Sequence, residues 1–318
     1  MIRYAIRRLV AAAIVIVIVM AFLAILDRLI PGNPVTFIFG PRANPFLIHQ
    51  VRQEMGLNVS VPVQIYQYIF NALHGNLGVD FVTDRSVSSL VMENLPYTVV
   101  LAVSGLGLAV VVGVPLGIIA ATRPGGILDR VIGIVSVSVI TVPSFVVGLI
   151  LILIFAVHLG LFPVIGAGAP GQPLDDLHHL ILPAIALAVG WIGYLARLVR
   201  SNMLEVLTAN YVRTAYAFGI RRRRVFYKYA LKNAAAPVVA VLGVGLGSLL
   251  GGAIFIEVIF DRPGLGTLAF NAISSRNLPI VQGTSLVIAV MVIAANLLAD
   301  FSYRLLDSRI QLGQTAQS

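Results

Sequence analysis

Long apolar runs alternate with short polar segments along the whole chain. Each run has the length of about 20 residues that a helix needs to cross the bilayer core, where only helices and closed barrels satisfy every backbone polar group. The pattern predicts six transmembrane helices: Leu9–Ile30, Tyr97–Ala121, Val131–Val157, Leu180–Val199, Pro237–Phe260 and Val281–Tyr303. The predicted fold class is therefore an all-α polytopic membrane protein.

Composition agrees with a membrane environment. Of the 318 residues, 58% are hydrophobic and 11% are charged, whereas a soluble domain has roughly 25% charged residues. Three arginines precede the first apolar run, which continues unbroken from Leu9 to Leu26. A cleavable signal has a shorter apolar core followed by small residues, so this run predicts an uncleaved first transmembrane helix.

The basic residues predict the orientation. With the N-terminus inside, 16 of the 22 lysines and arginines fall in inner segments and six in outer ones. Four of those six lie in or beside the long Pro31–Pro96 segment, where the positive-inside rule has little force. Both termini are therefore expected on the cytoplasmic side. The net charge of +9 then reflects membrane orientation rather than a nucleic-acid partner.

Two polar segments are longer than ordinary connections, and they define the predicted organisation. Residues 1–30 are expected to form an N-terminal transmembrane helix, and residues 31–96 an extracytoplasmic region with an amphipathic helix over Val63–Leu73. Residues 97–318 are expected to form a five-helix core. Within this core, the inner segment at about 200–236 is too polar to span the membrane.

The Arg200–Ala236 segment predicts two short helices that meet at a glycine. Helix-forming residues lead to Gly219, which can end a helix in the left-handed conformation. A second helix is expected to follow from Arg222 and to enter the membrane at Pro237, an allowed first-turn residue. Phe218 and the run of arginines then project from the bend. Such a rigid element can transmit a push from a soluble partner to the membrane helices.

Charge alone favours a plainer interpretation of this segment. Any basic cytoplasmic loop can enforce topology or lie on anionic lipid headgroups. A nucleic-acid patch is a weaker alternative, because the segment is tethered between membrane helices. The order of its residues, rather than its charge, distinguishes these interpretations.

Two patterns in this segment are specific. Tyr211–Gly219 reads Tyr-Val-Arg-Thr-Ala-x-Ala-x-Gly, and Ala230–Pro237 reads Ala-Leu-x-Asn-Ala-x-x-Pro. Together they resemble the EAA loop in permeases of binding-protein-dependent ABC importers, in the dipeptide, oligopeptide and nickel branch. Further motifs follow the order and spacing of that family: Pro31–Pro34, Leu95–Thr98, Gly113–Gly117, Asp129–Arg130, Pro143–Phe145, Leu182–Pro183, Phe260–Gly266 and Leu278–Gly283.

The resemblance implies an inner-membrane permease subunit of an ATP-driven importer, with a fold like that of type I ABC importer permeases and a pathway for di- or oligopeptides. The implied partners are a second homologous permease, two ABC ATPases, an extracytoplasmic binding protein and membrane lipid, with no nucleic acid. Nickel or another small solute such as glutathione stays open as the cargo. The implied ATPase-coupling residues are Arg213, Thr214, Ala215, Tyr216, Ala217, Phe218, Gly219, Arg221, Arg222, Arg223 and Arg224.

Some positions depart from the family pattern. Asn33 and Asn210 stand where aspartate is usual, and Tyr229 takes a frequent histidine position. Tyr216 and Phe218 replace expected basic residues. This aromatic pair makes the bend more apolar and predicts that the ATPase groove is matched to this permease.

ATP hydrolysis requires a phosphate-binding loop that ends in Gly-Lys-Ser/Thr. The chain has only two lysines, Lys228 after Tyr227 and Lys232 after Leu231. The sequence therefore predicts a transport subunit that is not an enzyme, with no catalytic residues and no bound cofactor. ATP and magnesium are expected on partner ATPase subunits.

Other candidate sites have simpler explanations. Gly243, Gly247 and Gly251 recur every fourth residue in the fifth predicted helix, a spacing that favours helix packing over dinucleotide binding. Glu257 and Asp300 are expected to be capping or interfacial charges, and Trp191 is expected at a lipid-facing or interfacial position.

No metal site is predicted. Cysteine is absent, which also excludes disulfides, and the histidines form no helical ligand pair with acidic support. The five histidines are His49, His74, His158, His178 and His179. His178 and His179 are expected at the membrane interface, before the fourth predicted helix.

Two other functional classes remain as alternatives at this stage. A secondary transporter driven by an ion gradient would carry charged residues inside its helices and often an inverted repeat, but the predicted helix cores are almost free of charge. The other class is a membrane-embedded enzyme or an assembly scaffold. An enzyme needs a convergent set of catalytic groups, and the sequence shows none.

Overall fold

A computed structural model of the chain describes residues 2–29, 46, 58–80, 82–169 and 171–306. Over these residues the chain is helical and contains no β-strand beyond one isolated bridge. The described α-helices are α1 (Ile2–Leu29), α2 (Val61–Leu73), α3 (Val87–Thr122), α4 (Ile127–Thr141), α5 (Ser144–Leu151), α6 (Pro173–Leu207), α7 (Asn210–Ala217), α8 (Arg222–Arg224), α9 (Leu231–Ile259), α10 (Leu265–Ser274) and α11 (Leu278–Leu306). A π-helical stretch, Ile152–His158, follows α5, and a second, Val225–Ala230, joins α8 to α9.

Within the described residues, five helical segments are long and apolar enough to cross a membrane. A bent pair, α4 with α5 and its π-helical extension, forms a sixth span if the pair is counted as one. The amphipathic helix predicted over Val63–Leu73 is confirmed as α2, and α10 is a short helix that the apolar pattern did not predict. The five continuous spans are Ile6–Ile25, Val87–Thr122, Pro173–Leu207, Val225–Ile259 and Leu278–Ala299.

The single helix predicted over Val131–Val157 is wrong. The chain turns by 101° between α4 and α5. Pro143 has no N–H to donate, and its ring disfavours a helical backbone at the preceding residue. Val142 accordingly has an extended conformation, with φ −84° and ψ 123°. Hydropathy does not reveal this break, because the residues on both sides of it are apolar.

Pro237 is not the residue at which the fifth membrane helix begins. It lies inside α9, which continues without interruption from the helical segment that starts at Arg222. The preceding residues Leu231–Ala236 include a run of three alanines, and alanine is the strongest helix former. The predicted start of the second short helix at Arg222 is confirmed.

Contacts between Cα atoms divide the chain into two units, Met1–Val99 with Asp261–Ile293, and Val100–Phe260 with Ala294–Ser318. In the second unit, α6 is the helix on which the others converge. Its residues Leu195, Val199 and Met203 are buried in an apolar cluster of this unit.

Glycines allow the neighbouring helices to approach α6 closely. A Cβ at Gly117 of α3 would lie 2.5 Å from the carbonyl oxygen of Ala196 and 2.7 Å from Cβ of Val199. On α6 itself, a Cβ at Gly193 would lie 2.7 Å from the carbonyl oxygen of Ser136. Van der Waals contact of this kind is a main source of helix association in lipid.

The first unit brings together two of the motifs noted in the sequence. The hydroxyl of Thr98 accepts a hydrogen bond of 2.8 Å from the N–H of Leu265, the first residue of α10. The guanidinium of Arg262 lies 5.7 Å from the ring centre of Tyr97. These contacts hold the turn before α10 against α3.

Asp80 anchors the turn that precedes α3. Its side chain is buried and accepts hydrogen bonds from the N–H of Val82 at 2.9 Å and from the amide of Asn277 at 2.5 Å. The hydroxyl of Thr83 donates to its other oxygen. Burial acts to raise the pKa of Asp80, but these hydrogen bonds to the carboxylate outweigh it, so that its pKa is lowered.

We expect Gly117→Ala to destabilise the protein by about 1–3 kcal/mol, because the added methyl group overpacks the contact with α6. Gly107→Ala is the matched control in the same helix. No atom of the described residues lies within 4 Å of a Cβ at Gly107, so alanine there is neutral or stabilises by about 0.5–1 kcal/mol. Thermal unfolding in detergent measures both changes, and equal melting temperatures for the two variants would contradict the packing assignment.

Asp80 predicts a pH dependence of stability. Its folded-state pKa lies below the unfolded value of about 3.9, so the carboxylate stabilises the fold above that value. The contribution is lost as the pH falls through the folded-state pKa. Asp80→Asn should lower the melting temperature at pH 7 and weaken its decline between pH 5 and pH 3.

The control for this titration is Asp84→Asn, which changes an exposed side chain in the same turn. It should leave the acid-dependent decline as in the unaltered protein. An unchanged decline in Asp80→Asn as well would show that Asp80 does not contribute.

Candidate functional site

The basic bend, residues 213–224, lies between α6 and α9. It contains the end of α7, the turn after it and α8. At the end of α6, the N–H and the hydroxyl of Thr208 both donate to the carbonyl oxygen of Glu205, at 3.2 and 2.7 Å. Ala209 is extended, and α7 then begins. The chain therefore leaves α6 by a short turn rather than by a long loop.

A Schellman cap at Gly219 ends α7. The N–H of Gly219 donates to the carbonyl oxygen of Tyr216 at 2.9 Å, and the N–H of Ile220 donates to that of Ala215 at 3.2 Å. Gly219 has a φ of +72°, which confirms the predicted left-handed end of the helix. Within the described residues, no atom lies within 4 Å of the position of a Cβ. Backbone conformation, and not space, therefore favours glycine here.

A small apolar core attaches the basic bend to α6. Val212, Ala215 and Val225 are buried, and Ile220 and Leu207 pack against them. On the other side, the amide of Asn233 in α9 donates a hydrogen bond of 2.8 Å to the hydroxyl oxygen of Tyr211. The basic bend is thus fixed to both of the membrane helices that flank it.

The outer surface of the basic bend is cationic with an apolar tip. Phe218 is 80% exposed and Tyr216 is 40% exposed. Later in the same segment, a shallow cavity of about 470 Å³ is lined by Arg221, Arg223, Arg224, Tyr227 and Lys228. A partner with an apolar pocket and acidic groups around it would complement this surface.

The predicted coupling residues divide into two groups. Ala215 is buried in the small core and Gly219 forms the cap, so these two shape the basic bend rather than contact a partner. Arg222 lies in α8. The hydroxyl of Thr214 donates to the carbonyl oxygen of Asn210 at 3.0 Å. The exposed members are Arg213, Thr214, Tyr216, Ala217, Phe218, Arg221, Arg223 and Arg224.

An ion pair that sequence reasoning missed connects α4 to α6. Arg200 donates from Nε to Oδ1 of Asp129 and from Nη2 to Oδ2, the second at 2.8 Å. The N–H of Gly125 also donates to Oδ2 at 2.8 Å. A bidentate ion pair of this kind fixes the relative orientation of the two side chains in addition to pairing their charges. The signal in the sequence was that Asp129 precedes one apolar run and the oppositely charged Arg200 follows another.

The three glycines predicted to mediate packing have different surroundings. A Cβ at Gly243 would collide with Ala299, whereas Gly251 has no described atom within 4 Å of that position. Gly247 is buried. A glycine outside the predicted set, Gly245, lies against the indole of Trp191. A Cβ added at Gly245 would lie 2.8 Å from the ring. The packing role of the full set stays a prediction.

The structure also gives the surroundings of other side chains noted in the sequence. Glu257 is fully buried near the end of α9, and its capping or interfacial role stays a prediction. His178 and His179 lie inside the first two turns of α6 rather than before it, because Pro173 and two acidic residues form a favourable helix start. Trp191 lies half-buried in the middle of α6, with its ring 5.4 Å from that of Tyr194. Pro31–Pro34, Asn33, His49 and the side chain of Asp300 lie outside the described residues.

Comparison with known sequences decides the family. Residues 113–312 match the family described as "Binding-protein-dependent transport system inner membrane component". Residues 1–102 match the corresponding N-terminal family, "Binding-prot-dependent transport system membrane comp, N-term". The chain belongs to this family. It is a multi-pass inner-membrane protein.

Curated relatives support the same assignment. The "Probable peptide ABC transporter permease protein y4tP" of Sinorhizobium fredii is 38% identical over 309 residues, which cover 97% of this chain and 99% of the relative. The "Oligopeptide transport system permease protein AppB" of Bacillus subtilis is 35% identical over 312 residues, with 97% and 99% covered. The resemblance noted in the sequence is thereby confirmed.

The fold also matches a solved permease. An inward-facing structure of the MetNI methionine ABC transporter superposes with a TM-score of 0.57 at 19% identity, covering 69% of this chain and 96% of that one. At this identity the likeness concerns the fold alone. The predicted all-α permease fold is confirmed.

We expect Gly219→Val to loosen the basic bend, because a left-handed conformation costs an L-residue roughly 1–2 kcal/mol. The population of molecules in which the basic bend is locally unfolded should then rise about tenfold. The rate of trypsin cleavage among Arg221–Arg224 should rise by the same factor. Gly219→Asn is the control, since asparagine tolerates this conformation. Equal cleavage rates in the two variants would rule out the conformational role of Gly219.

Proposed function

We propose that this chain forms part of the translocation pathway of an ATP-driven importer for short peptides, and that an ATPase subunit docks on the basic bend. The observation that carries the proposal is the rigid mounting of an exposed, cationic and aromatic bend between two membrane helices. The names of the curated relatives, a peptide and an oligopeptide permease, support peptide as the substrate class.

The proposed assembly contains a second homologous permease, two ABC ATPase subunits and an extracytoplasmic binding protein. ATP and magnesium bind on the ATPase subunits, and this chain performs no hydrolysis. Both termini and the basic bend lie on the cytoplasmic side. The outer segments Pro31–Pro96 and Asp261–Ile280 receive the binding protein. Residues 97–318 supply the core that encloses the pathway.

The contacts around the basic bend define how movement is transmitted. Closure of the ATPases on ATP displaces the basic bend, and its small core passes the displacement to α6. The Asp129–Arg200 pair carries it from α6 to α4, and the Tyr211–Asn233 hydrogen bond carries it to α9. Packed helices switch between discrete arrangements instead of deforming continuously. The coupling is reciprocal, so a loaded binding protein favours ATPase closure.

Phe218→Asp tests the docking role. We expect peptide uptake and binding-protein-stimulated ATP hydrolysis to fall by about tenfold or more, because burial of a phenylalanine side chain contributes roughly 1.5–3 kcal/mol. Both are measured on the complex purified with its partner subunits and reconstituted in liposomes. Since the side chain is exposed, the variant should remain folded and in the membrane.

Phe218→Leu is the matched control, because it keeps an apolar side chain at the tip, and it should retain most of the activity. Normal uptake and normal stimulated hydrolysis in Phe218→Asp would exclude the docking role. Purification of the chain without any ATPase subunit would contradict the importer itself.

A further inference from the structure

A cavity of about 400 Å³ lies among α4, α5, α6 and α9, beside the break at Pro143. Three kinds of group line it. The break contributes irregular backbone, α6 contributes two aromatic side chains, and both α5 and α9 contribute a hydroxyl. The residues concerned are Val142, Pro143, Ser144, Trp191, Tyr194 and Ser248.

The cavity lies near the middle of the membrane spans that surround it. The break divides its span into two similar parts. Before it lie the 15 residues of Ile127–Thr141, and after it lie the 8 α-helical and 7 π-helical residues of Ser144–His158. Trp191 and Ser248 are likewise close to the midpoints of α6 and α9. At this depth, non-helical backbone is tolerated only where protein buries it or where it lines a cavity that holds water. We therefore expect the broken helix and the cavity beside it to serve the function of the protein.

The polar groups of the cavity match those of a peptide main chain. The phenol of Tyr194 and the hydroxyls of Ser144 and Ser248 can each donate and accept a hydrogen bond, and the indole of Trp191 can donate one. The break adds carbonyl groups at the end of α4 and N–H groups at the start of α5 that have no partner within a helix. Two of these N–H groups, those of Val146 and Val147, donate to the carbonyl oxygen of Pro143 at 3.0 and 3.2 Å. The carbonyl oxygen of Ser138 is already engaged, since it accepts a hydrogen bond of 2.8 Å from the hydroxyl of Thr141, and Ser138 does not line the cavity.

Small residues keep the aromatic wall in place and the cavity open. The indole of Trp191 lies against Gly245, where a Cβ would come within 2.8 Å of the ring. The rings of Trp191 and Tyr194 meet edge to face, with 73° between their planes. Gly190 and Gly252 also belong to the lining, where larger side chains would occupy the space. The cavity is therefore shaped by specific contacts.

We propose that this cavity is the part of the pathway wall that contacts the peptide, and that it recognises the peptide main chain rather than charged side chains. This inference rests on the proposed importer function. Eleven residues in the described part of the chain line the cavity, and none of them is Asp, Glu, Lys, Arg or His. A neutral wall of hydroxyl, aromatic and backbone groups accepts peptides of different charge, whereas a nickel ion would need imidazole, thiolate or carboxylate ligands.

The natural absence of cysteine makes the test direct. Ser248→Cys places a thiol in the cavity. Ser138→Cys is the matched control, because Ser138 is exposed in α4 outside the cavity, with its hydroxyl bonded to the carbonyl oxygen of Ile134. Each variant is assembled with its partner subunits in liposomes and treated during ATP turnover with a charged methanethiosulfonate reagent. Mass spectrometry of this chain measures modification, and uptake of labelled trialanine measures function.

We expect the reagent to modify Cys at position 248 and to slow uptake by about tenfold or more, because the attached group raises the barrier to passage. Unlabelled trialanine should slow the modification and nickel chloride should not. The position 138 variant should stay active, and its thiol should stay unmodified because a side chain exposed on a membrane span faces lipid, which a charged reagent does not readily enter. These results together support the inference.

Three outcomes overturn it. The thiol at position 248 is as unreactive as that at position 138; its modification leaves uptake unchanged; or nickel chloride protects it and trialanine does not. In each case the unaltered complex still takes up trialanine, so the importer function stands. A failure of ATP-driven uptake by the unaltered complex removes the proposed function and this inference with it.

Discussion

In the hydrocarbon of a bilayer, an unpaired backbone N–H or C=O costs several kcal/mol, and this penalty governs most of the architecture described above. It requires each apolar run to be a complete helix, which explains the long spans of α3, α6, α9 and α11. It also makes the one break within a described apolar span, at Pro143, informative. Proline removes a donor and forces Val142 out of the helix. The groups released there lie beside a cavity that other polar side chains also line.

Helix packing depends on a second physical condition. Lipid tails are as apolar as leucine, so burial alone does not drive membrane helices together, and close van der Waals contact must do so. Gly117, Gly193 and Gly245 provide that contact around α6. Arg200 and Asp129 add a two-pronged ion pair near the polar end of the same helix. The most closely packed helix is thus also the one that leads directly into the basic bend.

Charge and geometry make separate contributions to the proposed docking role of the basic bend. Its arginines favour a cytoplasmic position and an acidic partner, but any loop of this composition would do the same. The Schellman cap, the small core around Val212 and the Tyr211–Asn233 hydrogen bond give it a defined shape. A defined shape is what a docking element needs, because a flexible loop would absorb the displacement that the ATPases impose.

From its sequence alone, the chain's fold class, the amphipathic helix α2, the left-handed turn at Gly219 and the family were all predictable. These features depend on local order: apolar run length, the conformational freedom of glycine and motifs of adjacent residues. Tertiary structure decided the 101° bend at Pro143, the burial of Glu257 and the position of Trp191 beside a cavity. It also paired Asp129 with Arg200, 71 residues apart. Such features depend on which helices become neighbours, and a hydropathy pattern records only how apolar each segment is.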